Sequence, residues 1–339
     1  MNKVLYKFEN FPLSVCTQEG PLSDSEVLIQ ATIEEDETGL ISFLPYVDPK
    51  LIYISQHNSS IGKTWQEHNH QFAKYVLDKE LEYVVDIGGG TGNIYKNYVE
   101  LNPNIQWKII DLNPCDIQNS NLSIVRGLYD PKYIKENDTV ITSHFIEHLA
   151  NIREFLTDLR SKSPKYHIFS LPNFKEYSKS NYSATIMFEH PHYLTEEYLD
   201  YILSSTGWEV VDKQYYKKHS IFFTTKPSEV KELDVKLNCS LEITSFLNYI
   251  KSKAESLKDK KFYVFGAHFT YYYLLNMGIK EDQIIAVIDN DPLKQNKRMY
   301  GKNTKVVSFQ EVPEGSDVLV EMGPYNEEIK SSIKNVNFI

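Results

Sequence analysis

Residues 84–93, VVDIGGGTGN, end an apolar run with glycines at alternate positions, Gly88, Gly90 and Gly92. Residues without a Cβ let a strand turn sharply into a helix and let a ligand approach the backbone. Such a turn belongs to a fold that alternates strands and helices, and the middle of the chain keeps that rhythm. EYVVDIGGG, IQWKIIDLN, DTVITSH, YHIFSLPN and SIFFTTK read as strands. Between them NIREFLTDLRSK and TEEYLDYILSSTG read as helices, the second capped by Thr195 and stopped at Gly207. The expected fold class is α/β, with a Rossmann-like doubly wound sheet over residues 73–228.

The flanking regions differ. Residues 1–72 hold short apolar runs (VLIQATI, GLISFLPYV, LIYIS) broken by Asp, Gly and Pro, the pattern of a small β-rich N-terminal lobe. After a charged stretch, KPSEVKELDVKLN, residues 229–339 open with a connector helix carrying Phe246, Leu247, Ile250, Ala254 and Leu257 on one face. Strand and helix segments then resume (KKFYVFGAH, QIIAVIDND, DVLVEM), so a second, smaller Rossmann-like domain is expected there.

Composition closes off several classes of function. With 46 acidic against 36 basic residues the net charge is −10, so binding that rests on neutralising a nucleic-acid backbone is not expected. No window reaches the roughly 20 apolar residues of a membrane-spanning helix. MNKVLYKFENFPL also lacks the apolar core of a signal peptide, so a cytoplasmic protein with no membrane partner is expected. Cys16, Cys115 and Cys239 stand far apart without a C-x-x-C pair, which predicts free thiols. The oligomeric state stays open.

Acidic neighbours of the glycine loop separate its candidate ligands. Dinucleotide enzymes favour G-x-G-x-x-G, where the helix N-terminus receives pyrophosphate, but here the third position is Asn93. Asp86 lies just before the glycines, where a carboxylate repels pyrophosphate but can orient an ammonium group. Asp111, ending the next strand, is placed to take two ribose hydroxyls. Ammonium, sulfonium and ribose together describe S-adenosyl-L-methionine. The D-x-G-x-G-x-G series through Asp86, Gly88, Gly90 and Gly92, followed by Asp111, resembles the class I methyltransferases. The resemblance implies a methyl-donor pocket built from Asp86, Gly88, Gly89, Gly90, Gly92, Asp111 and Leu112, bordered by Ser143 and His144 of SHFIEHL. Glu147 and His148 in that segment are expected to start a helix and to cap or pack it.

Outside this core, YISQHNSSIGKTWQEHNHQFAKYV precedes the glycine loop, with Trp65, Glu67 and His68. Near the end stand Gly266, Ala267, Leu274, Leu275, Asp289, Pro292, Lys294 and Gln295, with Gly301 and Thr304 approximating a last loop. In this arrangement the chain resembles the nucleotide-sugar C-methyltransferases of deoxysugar biosynthesis. The resemblance implies a small-molecule nucleotide-sugar acceptor, methylated on carbon beside a keto group, with Glu189 and His190 of MFEHPHYLT as the acid/base pair. His192, Tyr193 and His68 are the further candidates for helpers to this pair.

Two departures from that family stand out. Met187 and Phe188 occupy the positions of its tyrosine and first histidine, and the first lobe has Cys16 alone where the family has four zinc-binding cysteines. No metal is therefore expected. The residues themselves also allow a hydrogen-bonded turn at 189–192, oxygen methylation of a sugar, a non-catalytic binding protein on the same fold, or a nicotinamide-dependent sugar oxidoreductase.

Overall fold

The computed structural model describes residues 2–14, 17–48, 62–79, 81–114, 116–232, 237 and 240–339. Cys16, Cys115 and Cys239, with the expectations attached to them, lie outside these residues, as does the stretch 53–61 ahead of the core.

The main elements of the first half are β1 (Lys3–Pro12), β2 (Leu28–Glu35), β3 (Ile41–Leu44), α1 (Lys63–Leu77), β4 (Tyr83–Ile87), α2 (Asn93–Leu101), β5 (Gln106–Asp111), β6 (Leu122–Arg126), β7 (Thr139–Ser143), α3 (Ile152–Ser161) and β8 (Tyr166–Pro172). There follow α4 (Phe174–Lys179), α5 (Glu196–Ser205), β9 (Trp208–Tyr216), β10 (Ser220–Pro227), α6 (Ser240–Leu257), β11 (Phe262–Phe265), α7 (Phe269–Asn276), β12 (Ile284–Ile288), β13 (Val306–Val307), β14 (Asp317–Val320) and β15 (Asn337–Phe338).

Contacts group the chain into two interleaved units. One comprises Tyr46–Asn173 and Glu189–Leu237; the other comprises Met1–Pro45, Phe174–Phe188 and Asn238–Ile339. The boundaries read from the sequence, near 72 and 228, divide the chain into consecutive stretches. By contact, α1 belongs with the middle region, while residues 174–188 leave it for the unit that holds both chain ends.

The first unit is built on a seven-stranded sheet in the order β9-β10-β8-β7-β4-β5-β6. Only β10 runs against the others. Strands β4, β7 and β8 are almost continuously buried because both faces of the sheet are covered, which is why they read as unbroken apolar runs. Phe72, Tyr95, Tyr98, Trp107 and Phe222 belong to its core. Chain order reverses between β4 and β7, with β5 and β6 laid to one side and β8 to the other. The C-terminal ends of strands at such a switch leave a crevice for a ligand.

The second unit contains the antiparallel set β1-β2-β3 and a five-stranded parallel sheet, β13-β12-β11-β14-β15. In α6, Phe246, Leu247, Ile250, Ala254 and Leu257 are all buried, the face expected from their spacing. Arg298 forms a two-pronged ion pair with Glu26, both side chains buried, and donates to the carbonyls of Gly20 and Pro21 at 2.7 Å each.

Candidate active site

Gly88, Gly90 and Gly92 adopt φ of +75°, +47° and +71°, the left-handed region that a side chain disfavours. The Gly88 N–H donates to the Ile110 carbonyl at 2.8 Å and the Gly90 N–H to Asp111 Oδ2 at 3.0 Å, fastening the turn after β4 to the end of β5. Asp111 Oδ1 accepts from the Asn113 N–H at 2.7 Å, so the carboxylate is held in one orientation. A Cβ on Gly88 would meet Phe145 Cδ2 at 2.5 Å, and one on Gly89 would meet Asp86 Oδ2 at 2.7 Å. Phe145 and Asp86 thus press on the loop. Asp86 is 1% exposed and neither carboxylate oxygen has a hydrogen-bond partner. Burial pushes its carboxyl up to about 7, and the charge of Asp111 adds to the rise. A buried acid in this state is relieved by a cation brought against it.

A cavity of about 530 Å3 opens at these strand ends. Gly88, Gly90, Asp111, Leu112 and His144 line it, together with Phe145 and His148. Of the other residues expected there, Asp86 lies buried behind the loop, Gly92 opens α2, and the Ser143 hydroxyl pairs with that of Ser170 at 2.9 Å. Gly127, Leu128 and Tyr129 also line the cavity. The sequence reading missed them because they follow β6 in a loop without a motif.

His144 leads from the cavity into a cluster of imidazoles. His68 comes from α1, His144 from the turn after β7, and His219 from the turn between β9 and β10. One ring nitrogen of each lies within 4.8 Å of the other two. The Trp65 ring packs edge-on against all three, with centroids 5.3, 4.8 and 4.6 Å away. Ser220 Oγ stands 2.8 Å from His144 Nε2 and 2.6 Å from His219 Nδ1. On its other side His144 Nδ1 lies 3.1 Å from Glu147 Oε1. Glu147, His148 and His190 form a second group, again within 4.8 Å. His148 Nδ1 donates to the Glu189 carbonyl at 2.9 Å.

The protonation states follow from burial. It drives His144 down to about 3 and His219 to about 2, and it holds His68 and His190 well below the ordinary imidazole value. Burial pushes the Glu147 carboxyl up to about 7. His68, His144, His190 and His219 are therefore unprotonated imidazoles near an acid, Glu147, that exchanges its proton near neutral pH.

Glu147 and His148 do not start or cap an α-helix. Ile146–His148 is a single 3-10 turn, and the cap of α3 is Asn151, which accepts from the Glu154 N–H at 3.2 Å. The reason is the backbone of His144, whose φ of +48° swings the chain so that Glu147 faces inward. Of the residues implied for acid/base work, His190 and His68 join the two groups. His192 is turned away, its Nε2 donating to the Ala150 carbonyl at 2.9 Å, and Tyr193 is 2% exposed. Glu189 is buried as well. His219 carries no local signal, since it sits alone in a hairpin turn.

Residues 58–213 match a protein-family model described as "Methyltransferase domain". Among curated proteins, no sequence matches this chain. Solved structures include an O-methyltransferase family protein from Burkholderia thailandensis, similar at 11% identity and a TM-score of 0.38 over 48% of this chain and 56% of that one. The pyocyanin biosynthetic protein PhzM is similar at 16% identity and a TM-score of 0.39, over 47% of this chain and 54% of its own. The dimethyltransferase RosA from Streptomyces davawensis follows at 14% identity and a TM-score of 0.39, over 48% and 55%. The matches span little more than half the length of these proteins. Among the described residues, no helix is long and apolar enough to cross a membrane.

Proposed function

We propose that this chain, whose residues 58–213 are a class I methyltransferase domain with S-adenosyl-L-methionine as its methyl donor, methylates a nucleotide-linked sugar, with His190 taking the proton. The observation that supports this most is continuity: the cavity runs from Asp111 to His144 and His148, and His190 lies in one group with His148 and Glu147. His190 would thus act from beside His148, which lines the cavity. The nucleotide-linked acceptor rests on the sequence resemblance that runs from about residue 50 to about residue 320.

The backbone of Gly88 and Gly90 would hold the ammonium end of the donor, with the Asp86 carboxylate attracting it from behind the loop, while Asp111 would take the ribose hydroxyls and Leu112 with Tyr129 would wall the purine. When bound, the donor supplies an electrophilic methyl group on a sulfonium. His190, half-buried and held unprotonated by desolvation, would take the proton from the carbon beside the acceptor's keto group; the electron pair left behind would form the new carbon–carbon bond as the methyl–sulfur bond breaks and its pair stays on sulfur. The carboxylate of Glu147 meets the charge that develops on the imidazole. Holding donor and acceptor in line is the main contribution of the remaining residues.

Met187 and Phe188 favour a second reading. They have no proton to give, and methylation of a sugar hydroxyl needs only the base. The first experiment is a thermal-shift screen of TDP, UDP, GDP and CDP with S-adenosylhomocysteine present. A shift from one diphosphate supports the acceptor class. A shift from S-adenosylhomocysteine alone removes the nucleotide sugar, and no shift at all removes the whole reading. With the acceptor known, exchange of its ring hydrogen in deuterated water marks carbon methylation, and turnover without exchange marks oxygen.

A further inference from the structure

We propose that His68, His144 and His219 form a three-imidazole site for a divalent transition-metal ion of the Zn2+ type. The sequence reading expects no metal, because the first lobe has Cys16 alone where the resembled family has four zinc-binding cysteines. The fold brings one nitrogen of each within 4.8 Å of the others, so closing onto an ion at about 2.0–2.1 Å requires the nitrogens to approach by roughly 1 Å. Imidazole rings cover such a distance by small side-chain rotations.

Two further observations point to a ligand. His68 is fully buried, its Nδ1 lies 3.3 Å from Asn69 Oδ1, and its Nε2 has no hydrogen-bond partner. A ring nitrogen in that position loses its water without replacement unless something takes its lone pair. Behind His144, Glu147 Oε1 lies 3.1 Å from Nδ1. Neither oxygen of Glu147 has a hydrogen-bond partner, so an unsatisfied buried carboxyl group stands beside the ring, where the positive charge of an ion would be welcome. His144 Nε2 now shares the Ser220 hydroxyl with His219 Nδ1, and an ion replaces that hydroxyl as the partner of the imidazoles.

Three protein nitrogens with a fourth position open are the pattern of a zinc site that exchanges its last ligand. His144 lines the cavity, so that ligand can enter from there. The inference does not depend on the acceptor. The other group offers less: His148 Nδ1 is engaged by the Glu189 carbonyl, and His190 is reserved for the proton.

The test titrates Co2+ into the untagged full-length protein and follows its visible ligand-field bands, with Zn2+ as competitor. Stoichiometric Co2+ is expected to give the intense bands of a four-coordinate nitrogen site, and Zn2+ to erase them. The bands should vanish in His68→Ala and in His219→Ala. They should persist in His70→Ala, whose ring faces Asn97 at 3.3 Å. Absence of bands in the wild type overturns the proposal whatever the variants do. Bands that survive in both His68→Ala and His219→Ala, or that depend on His148 instead, also overturn it. Should His68→Ala fail to fold by circular dichroism, His68→Gln serves in its place.

Discussion

Asp86 and His190 are both denied their usual charge by burial, and they answer pH in opposite directions. In the folded protein without ligand, Asp86 titrates at about 7, against an ordinary value of 3.8. Its contribution to stability is therefore complete below the unfolded value and is lost as pH rises through about 7. A bound ammonium group favours the ionised form, so S-adenosylhomocysteine binding should release a proton below that pH and weaken between about pH 8 and about pH 6. Calorimetry in two buffers of different ionisation enthalpy measures the release, which Asp86→Asn should abolish while lowering affinity at neutral pH. For His190→Ala the expected loss of turnover is about 10²–10⁴-fold, with S-adenosylhomocysteine affinity unchanged; turnover equal to wild type in single-turnover kinetics removes His190 as the base. Asp86 and Asp111 were legible because strand, loop and acid form one local pattern. The cluster around His144 was not, because its members come from a helix, a turn after a strand and a hairpin, and spacing says nothing about which distant turns converge.

Among the elements, the strand-to-helix turn carries the most constraint. Gly88→Ala meets both a left-handed backbone, which costs about 1–3 kcal/mol, and the Phe145 ring at 2.5 Å. Gly278, at φ +100° with nothing within 4 Å of a Cβ, meets the backbone term alone. Chemical denaturation should show the larger loss for Gly88→Ala, and only that variant should also lose S-adenosylhomocysteine binding. A similar fastening recurs after β11, where Asp289 accepts from the N–H groups of Ala267 and Asp291 at 2.9 Å each, as Asp111 does from Gly90 and Asn113. The residues of the late sequence pattern thus hold one another, with Gln295 Nε2 donating to the Asp289 carbonyl at 2.8 Å. Strands and helices were readable from period and caps; the Thr195 side chain does accept from the Tyr198 N–H, at 3.3 Å. The 3-10 turn at 146–148 was not, because it depends on one left-handed residue, His144, whose type gives no warning.

For the whole chain, the pair Glu26 and Arg298 joins residues 272 positions apart. Arg298 and the backbone N–H groups that reach Glu26 hold its carboxyl at about 2, against an ordinary value of 4.5. Its stabilising contribution is full above the unfolded value and is lost as pH falls from 4.5 toward 2. Arg298→Met leaves a buried carboxylate without its partner and should destabilise the unit that holds it by about 3–5 kcal/mol, measured by denaturant unfolding. Contacts of this range explain why the sequence suggested consecutive regions: composition changes along the chain, whereas grouping is decided by residues that meet only after folding. The interleaving also sets an order of events during synthesis. Strands β1, β2 and β3 are made long before β15, at 337–338, which completes the other sheet of their unit. Until then the apolar side chains of those early strands wait for the parts of their unit that lie hundreds of residues further on.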